Sequence, residues 1–271
     1  MLDKILEAGR RSTAAALPHD LLRESREWFS RRRLTLRYDE DVSNWVRHMR
    51  TADKADGTNP TFDPEHSPVS AADSYWLDVR DGDGRTVACL AARVIRTDDF
   101  TRQISSMSLW FDPLPPGLEA PLDLVLPSTT PVISGAVAHY GGHWVHPSWR
   151  GQGIPGVMLP LAKILTMELF GSDWDTGIVL VSSARRRDLM AAYGFAEADI
   201  CYSGFFPPLN RDETFFLAYS SREQTLRAVP DVIRKLRGDA EMPEAGARSP
   251  ATPGTDTILT SMLPGGPSRV A

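Results

Sequence analysis

The chain has 271 residues, 42% of them hydrophobic and 24% charged, and a formal charge of −5 at neutral pH. That length can bury a large core in one large domain or two small ones, and the acidic balance argues against general binding to nucleic acid or to an anionic membrane. Two cysteines, Cys89 and Cys201, are too few for a disulfide framework; the start, Met1-Leu2-Asp3-Lys4, lacks the apolar stretch of a signal peptide, and no run approaches the roughly 18 apolar residues of a membrane span, so a soluble cytoplasmic protein is expected.

Along the chain, Leu21, Leu22, Trp28 and Phe29 recur at helical spacing and lead into Arg31-Arg32-Arg33. A second amphipathic helix begins near Asp39, with Val42, Trp45, Val46 and Met49 on one face and a cap at Asp39 or Asp41. Residues 1–57 thus read as a helical segment packed on the domain that follows, which spans 58–237. Asn59-Pro60 through Pro68 is a proline-punctuated connector. The clearest hairpin follows: Tyr75 to Val79 and Thr86 to Ile95 flank Asp81-Gly82-Asp83-Gly84, whose glycines supply positive φ. Residues 112–131 are rich in proline and leucine and read as a surface loop packed by its own leucines, or as an insertion that shapes a pocket.

Next come a strand-like run from Val132 to Val145 and a helix-like run from Val157 to Phe170. A strand over about 177–182, a helix over about 184–193, and a strand pair at Ile200 to Phe206 and Thr214 to Tyr219 complete the domain. From 238 to 271 Ala, Pro, Gly, Ser and Thr dominate, and a disordered tail is expected there. No internal repeat is present.

The most informative stretch is His146-Pro147-Ser148-Trp149-Arg150-Gly151-Gln152-Gly153-Ile154-Pro155-Gly156, between the strand-like and helix-like runs. A glycine-rich bend from strand into helix aims backbone N–H groups and a helix N-terminus at one spot, an arrangement that binds phosphate. Gly151 and Gly153 permit close approach, and Arg150 adds a fixed positive charge. Gly151-x-Gly153-x-x-Gly156 also satisfies the dinucleotide fingerprint of a nicotinamide- or flavin-dependent oxidoreductase. That reading needs the glycines after the first strand of a βαβ unit and an acidic residue closing the next strand. Here the next strand closes with Ser182-Ser183, and Asp173 and Asp175 precede it.

Val145-x-Pro147-x-x-Arg150-Gly151-x-Gly153-Ile154 resembles the acyl-CoA signature of the GNAT N-acetyltransferase superfamily, with Pro155 where Gly or Ala is usual. Tyr193-Gly194-Phe195 resembles the Gly-Phe that ends the family's next helix, and the elements between them match in order and spacing. The specific resemblance covers about 139–217. It implies an α/β (α+β) fold: a mixed, mostly antiparallel sheet flanked by helices. It further implies acetyl-CoA, or another acyl-CoA, as co-substrate and a small-molecule or protein amine as acceptor. A homodimer is left open. By the resemblance, Trp144, Val145, Arg150, Gly151, Gln152, Gly153, Ile154, Gly156 and Ser183 would hold the cofactor. The strand Gly141 to Val145 would splay from its neighbour, with the N–H of Trp144 or Val145 polarising the thioester carbonyl. Met190 stands where many members carry the tyrosine that protonates the departing thiolate. That departure leaves Tyr193 as the substitute acid and keeps open a domain that binds acyl-CoA without efficient catalysis.

His139, His143 and His146 are the titratable cluster nearest this point. An ordinary histidine pKa suits a general base, and His143 is the candidate. His139 and His143 share a strand face by period two if no bulge intervenes, although the double glycine between them, Gly141-Gly142, is itself consistent with a bulge. A metal site from the three histidines is not expected, because strand periodicity does not bring them to one point. Arg185-Arg186-Arg187 opens the second helix as a solvated charged turn or as a contact to the ribose phosphate of CoA.

Overall fold

The computed structural model describes residues 16–55, 57–118, 121–180 and 193–241. In chain order these form α1 (Ala16–Arg31), β1 (Thr35–Asp39), α2 (Val42–Met49), β2 (Ser74–Arg80), β3 (Thr86–Thr97) and α3 (Phe100–Ser105). Then follow β4 (Gly135–Val145), α4 (Pro155–Phe170), β5 (Trp174–Leu180), β6 (Glu197–Phe206), β7 (Arg211–Ser221) and α5 (Arg222–Glu241). One seven-stranded sheet runs in the order β1-β2-β3-β4-β5-β7-β6. Neighbours β4 and β5 are parallel and the other pairs antiparallel. This is the mixed, mostly antiparallel sheet flanked by helices that was expected.

Local chemistry explains several boundaries. Of the two acids at the start of α2, Asp41 is the cap: its carboxylate accepts the Ser43 N–H at 3.0 Å. Asp39 instead accepts from the Asp41 N–H and the Asn44 amide. The β2–β3 turn is held by the Asp81 carboxylate, which accepts from the N–H groups of Asp83 and Arg85. Helix α4 opens on Pro155, whose missing N–H costs nothing in a first turn, and stops at left-handed Gly171.

Three elements differ from the sequence reading. β1 lies inside the segment read as helical and pairs with β2 from Thr35↔Arg80 to Asp39↔Trp76, so the N-terminal segment supplies an edge of the main sheet. α3 is a six-residue helix capped by Asp99, too short to show a period. α5 continues to Glu241, past the expected start of the tail at 238. Residues 242–271, and residues 181–192 with Ser183, the arginine run and Met190, lie outside the described residues.

Helices α1, α4 and α5 cover one face of the sheet around Leu22, Trp28, Leu77, Leu90, Met158 and Ile233. Sandwiched between sheet and helices, α4 is apolar on nearly every side. The opposite face carries two clusters, one around Trp110, Phe206 and Phe215 and one around Trp45, Phe62 and Trp144. The proline-rich 112–131 segment belongs to the first of these. Leu122 is buried there and Leu124 and Leu126 pack beside it. The Val125 N–H donates to the Cys201 carbonyl at 3.0 Å, and the Thr130 hydroxyl to Asp199 at 2.6 Å. The segment thus partly covers the outer edge of β6, which protects unpaired strand groups. No described helix is long and apolar enough to cross a membrane.

Candidate functional site

The site begins with an irregularity in β4. Trp144 lies opposite Cys89 while Gly141 lies opposite Ala91, so β4 spends one more residue than β3 on the same stretch. Gly142-His143, opposite the single residue Leu90, is therefore a β-bulge. Gly142 has φ +57°, and a Cβ there would sit 2.1 Å from Cζ2 of Trp45. One at Gly141 would meet Cε2 of Phe62 at 2.7 Å. The Trp45 indole N–H donates to the Gly142 carbonyl at 3.2 Å, satisfying a group the bulge takes out of the ladder.

The extra residue inverts the alternation of side chains. His139 faces Phe62 and Phe100, whose ring centroids lie 6.1 and 5.8 Å from its own. His143 faces the other side, against Tyr193. The two histidines thus lie on opposite faces. Nδ1 of His139 is 3.1 Å from the Thr176 hydroxyl, and burial, helped by nearby Arg93, pushes its pKa down to about 3. His146 stands further along, where its Nδ1 accepts the Ser148 N–H at 3.2 Å and lies 2.7 Å from the Ser148 hydroxyl. Among the described residues, the one grouping of metal-type side chains is elsewhere, at Asp63, Glu65 and His66. There the Arg50 guanidinium already bonds Asp63 and Glu65.

His143 and Tyr193, the two candidates for chemistry, come into contact. Their rings meet edge to face with centroids 5.8 Å apart, and they are 3% and 1% exposed. Among the described residues, neither ring nitrogen of His143 has a hydrogen-bond partner. Burial alone pushes its pKa down to about 4. The sequence reading missed Lys163, which holds this corner together. Its ammonium donates to the Gly194 carbonyl at 2.6 Å and lies 3.8 Å over the Phe195 ring. It is buried, and its pKa falls to about 8, with Asp175 opposing the shift. A lysine inside the apolar run Val157 to Phe170 was the signal for it.

β4 and β5 part before the bulge is reached. They pair from Val137↔Trp174 to His139↔Thr176, and β4 runs on to Val145 and β5 to Leu180 outside that ladder. Phe195 stands at the fork, 3.2 Å from where a Gly177 Cβ would be, with the Tyr140 carbonyl on the other side at 3.7 Å. The register decides which β4 amide faces the gap. The His146 N–H donates to the Val87 carbonyl at 2.8 Å, and Val145 lies opposite Ala88. Antiparallel pairs alternate, so Trp144 exchanges bonds with β3 while Val145 turns its N–H and C=O toward the β5 side. The Val145 carbonyl accepts from Nε of Arg150 at 3.1 Å.

The loop after β4 carries the strongest feature. Among the described residues, no group accepts from the N–H of Gly151, Gln152, Gly153 or Ile154. Signs of φ alternate along it: Arg150 is at −67°, Gly151 at +76°, Gln152 is not positive, Gly153 is at +79° and Ile154 at −52°. Such alternation turns successive N–H groups into one concavity, an anion-binding nest. The nest opens at the start of α4, where the helix dipole adds positive potential. Gly156 is not part of the free row, since its N–H donates to the Gly153 carbonyl at 3.1 Å. Gln152 reaches back to the Ser148 carbonyl at 3.4 Å.

No family model and no curated protein matches this chain. Solved structures are similar to it in outline. A spermidine N-acetyltransferase SpeG chimera of Vibrio cholerae and hSSAT is 13% identical at a TM-score of 0.40, over 72% of this chain and 99% of its own. Arabidopsis thaliana NAA60 in complex with acetyl-CoA is 12% identical at 0.43, over 70% and 99%. The dodecameric Vibrio cholerae spermidine N-acetyltransferase in its intermediate state is 12% identical at 0.41, over 71% and 96%.

The dinucleotide fingerprint lacks its context. β4 has antiparallel β3 on its other side, and the further neighbour of β5 is antiparallel β7. The parallel sheet that such a fingerprint opens is not formed here.

Proposed function

We propose that the chain is an acyl-CoA-dependent N-acyltransferase of GNAT type, moving an acetyl or other acyl group to an amine by direct attack. The observation that carries this reading is the row of four N–H groups that no described residue accepts, beside a strand whose next amide, at Val145, faces an open fork. A diphosphate would sit in the nest, and the pantetheine arm would run into the fork along β4. The thioester carbonyl would then lie within reach of the Val145 N–H, a fixed donor where negative charge develops.

In the transfer, the amine nitrogen attacks the carbonyl carbon, the nitrogen–carbon bond forms, the carbon–sulfur bond breaks and the thiolate leaves. Most of the rate comes from holding the two reactants together. His143 takes the proton that the nitrogen loses, and the Tyr193 hydroxyl returns one to sulfur. A buried imidazole with two orphaned nitrogens is costly to keep, which supports a group that waits for a ligand. Replacing His143 by Ala is expected to lower turnover at least tenfold while changing the CoA dissociation constant little. Turnover unaltered across pH 6–9 would take His143 out of the chemistry. A second reading, binding without efficient turnover, is favoured by the same pKa of about 4, since an effective base is poised near the working pH.

Thermal unfolding with acetyl-CoA, CoA and NAD(H) in parallel tests the assignment. A ligand at about a hundred times its Kd adds roughly 2.7 kcal/mol, several degrees for a domain of this size. Both CoA species should raise the Tm and NAD(H) should not. No shift with either CoA species would overturn the reading.

A further inference from the structure

The N-terminal helix reaches the phosphate end of the site. Helix α1 ends where β1 begins, and β1 enters the sheet opposite the end of β2, at Thr35↔Arg80. That is the same end of the sheet at which β4 leaves for the glycine loop, since β3 there begins at Thr86 and Ala88 lies opposite Val145. Trp28, in the last turns of α1, lies under the loop: its Cζ2 is 3.8 Å from the Cβ position of Gly153. The guanidinium of Arg32 lies 3.8 Å over the Trp28 ring, and its Nη1 donates to the Trp28 carbonyl at 3.3 Å.

Stacking engages the flat face of a guanidinium and keeps its N–H donors in the plane, the geometry that meets phosphate oxygens side on. The indole also fixes the side chain, so less rotamer freedom is lost when an anion binds. Arg150 brings a single positive charge to a ligand that carries several negative ones. Its Nε is committed to the Val145 carbonyl, whereas coenzyme A brings a diphosphate and a 3′-phosphate.

We propose that Arg32, held over the ring of the Trp28 that lies beside Gly153, is a second phosphate-binding cation of the acyl-donor site. This rests on the acyl-CoA reading above and adds to it a residue from outside the loop and from outside the stretch that carries the family resemblance.

The test is the affinity of wild type, Arg32→Gln and Arg32→Lys for CoA, dephospho-CoA and pantetheine, by calorimetry at low and high salt. Arg32→Gln should weaken CoA about tenfold at low salt and less at high salt, with pantetheine unchanged; Arg32→Lys should fall between. A loss on CoA alone assigns Arg32 to the 3′-phosphate, and a loss on dephospho-CoA as well assigns it to the diphosphate; either supports the proposal. CoA affinity within twofold of wild type in Arg32→Gln, or an equal loss on pantetheine, overturns it and leaves the acyl-CoA reading standing. Should Arg32→Gln not fold, Arg32→Lys decides: affinity for CoA equal to wild type refutes the role. If wild type itself fails to bind CoA, the parent reading falls and the proposal with it.

Discussion

Acid is expected to unfold this protein between about pH 6.5 and pH 4. His139 and His143 are buried neutral, with pKa values pushed down from 6.5 to about 3 and about 4. Over that window the unfolded chain binds protons at these two histidines that the folded chain refuses, and His48, lowered by burial as well, acts in the same sense, so stability falls as pH falls. Each histidine contributes a slope of about 1.4 kcal/mol per pH unit. Between pH 6.5 and 4.5 the pair removes about 5 kcal/mol, comparable to the whole stability of many domains. Asp175 works in the opposite sense, because burial raises its carboxyl and the folded state takes up its proton first. Denaturant melts at pH 7.5, 6.5, 5.5 and 4.5 measure the net slope. In His143→Leu, and separately in His139→Asn, about half of the part carried by this pair should vanish. A slope that neither variant changes would mean that these rings meet water in the folded state.

Gly142→Ala should be the most damaging single-methyl change in β4. Its φ of +57° disfavours any side chain by about 1–2 kcal/mol, and the new carbon would overlap the Trp45 ring at 2.1 Å, an overpacking strain of about 1–3 kcal/mol. Together about 2–5 kcal/mol is expected. Gly151→Ala is the internal comparison: its φ is +76°, yet nothing lies within 4 Å of its Cβ position. It should show the backbone part of the cost alone, about 1–2 kcal/mol. Urea unfolding of both variants reads the difference. Equal losses would mean that Trp45 moves aside without cost and that the bulge is not clamped by α2. The consequence reaches the site, because the bulge sets which way His143 and Val145 face.

Where local physics decides, the elements were legible. The hairpin at Asp81 to Gly84 announced itself by turn chemistry between two apolar runs, and the start of α4 by glycine and proline in the right order. β1 was hidden because five residues between two helices show too little alternation to outvote their neighbours; pairing with β2 makes them a strand. α5 was hidden because Pro230 interrupts its pattern, and its stripe of Val229, Ile233 and Leu236 gains meaning only against α1 and α4.

By itself the sequence determined the glycine loop and its place between β4 and α4. Glycines at 151 and 153 are local commitments that few other residues could make. Tertiary structure decided the rest of the site. The register against β3, a contact between strands, selects the Val145 amide over that of Trp144. The bulge clamped by Trp45 from α2 sends His139 and His143 to opposite faces. Long-range packing brings Tyr193 to His143, sets Lys163 beneath Gly194 and lays Trp28, with Arg32 over its ring, beside Gly153. A chain can encode a turn within a few residues, but the face a side chain shows depends on partners far away along it.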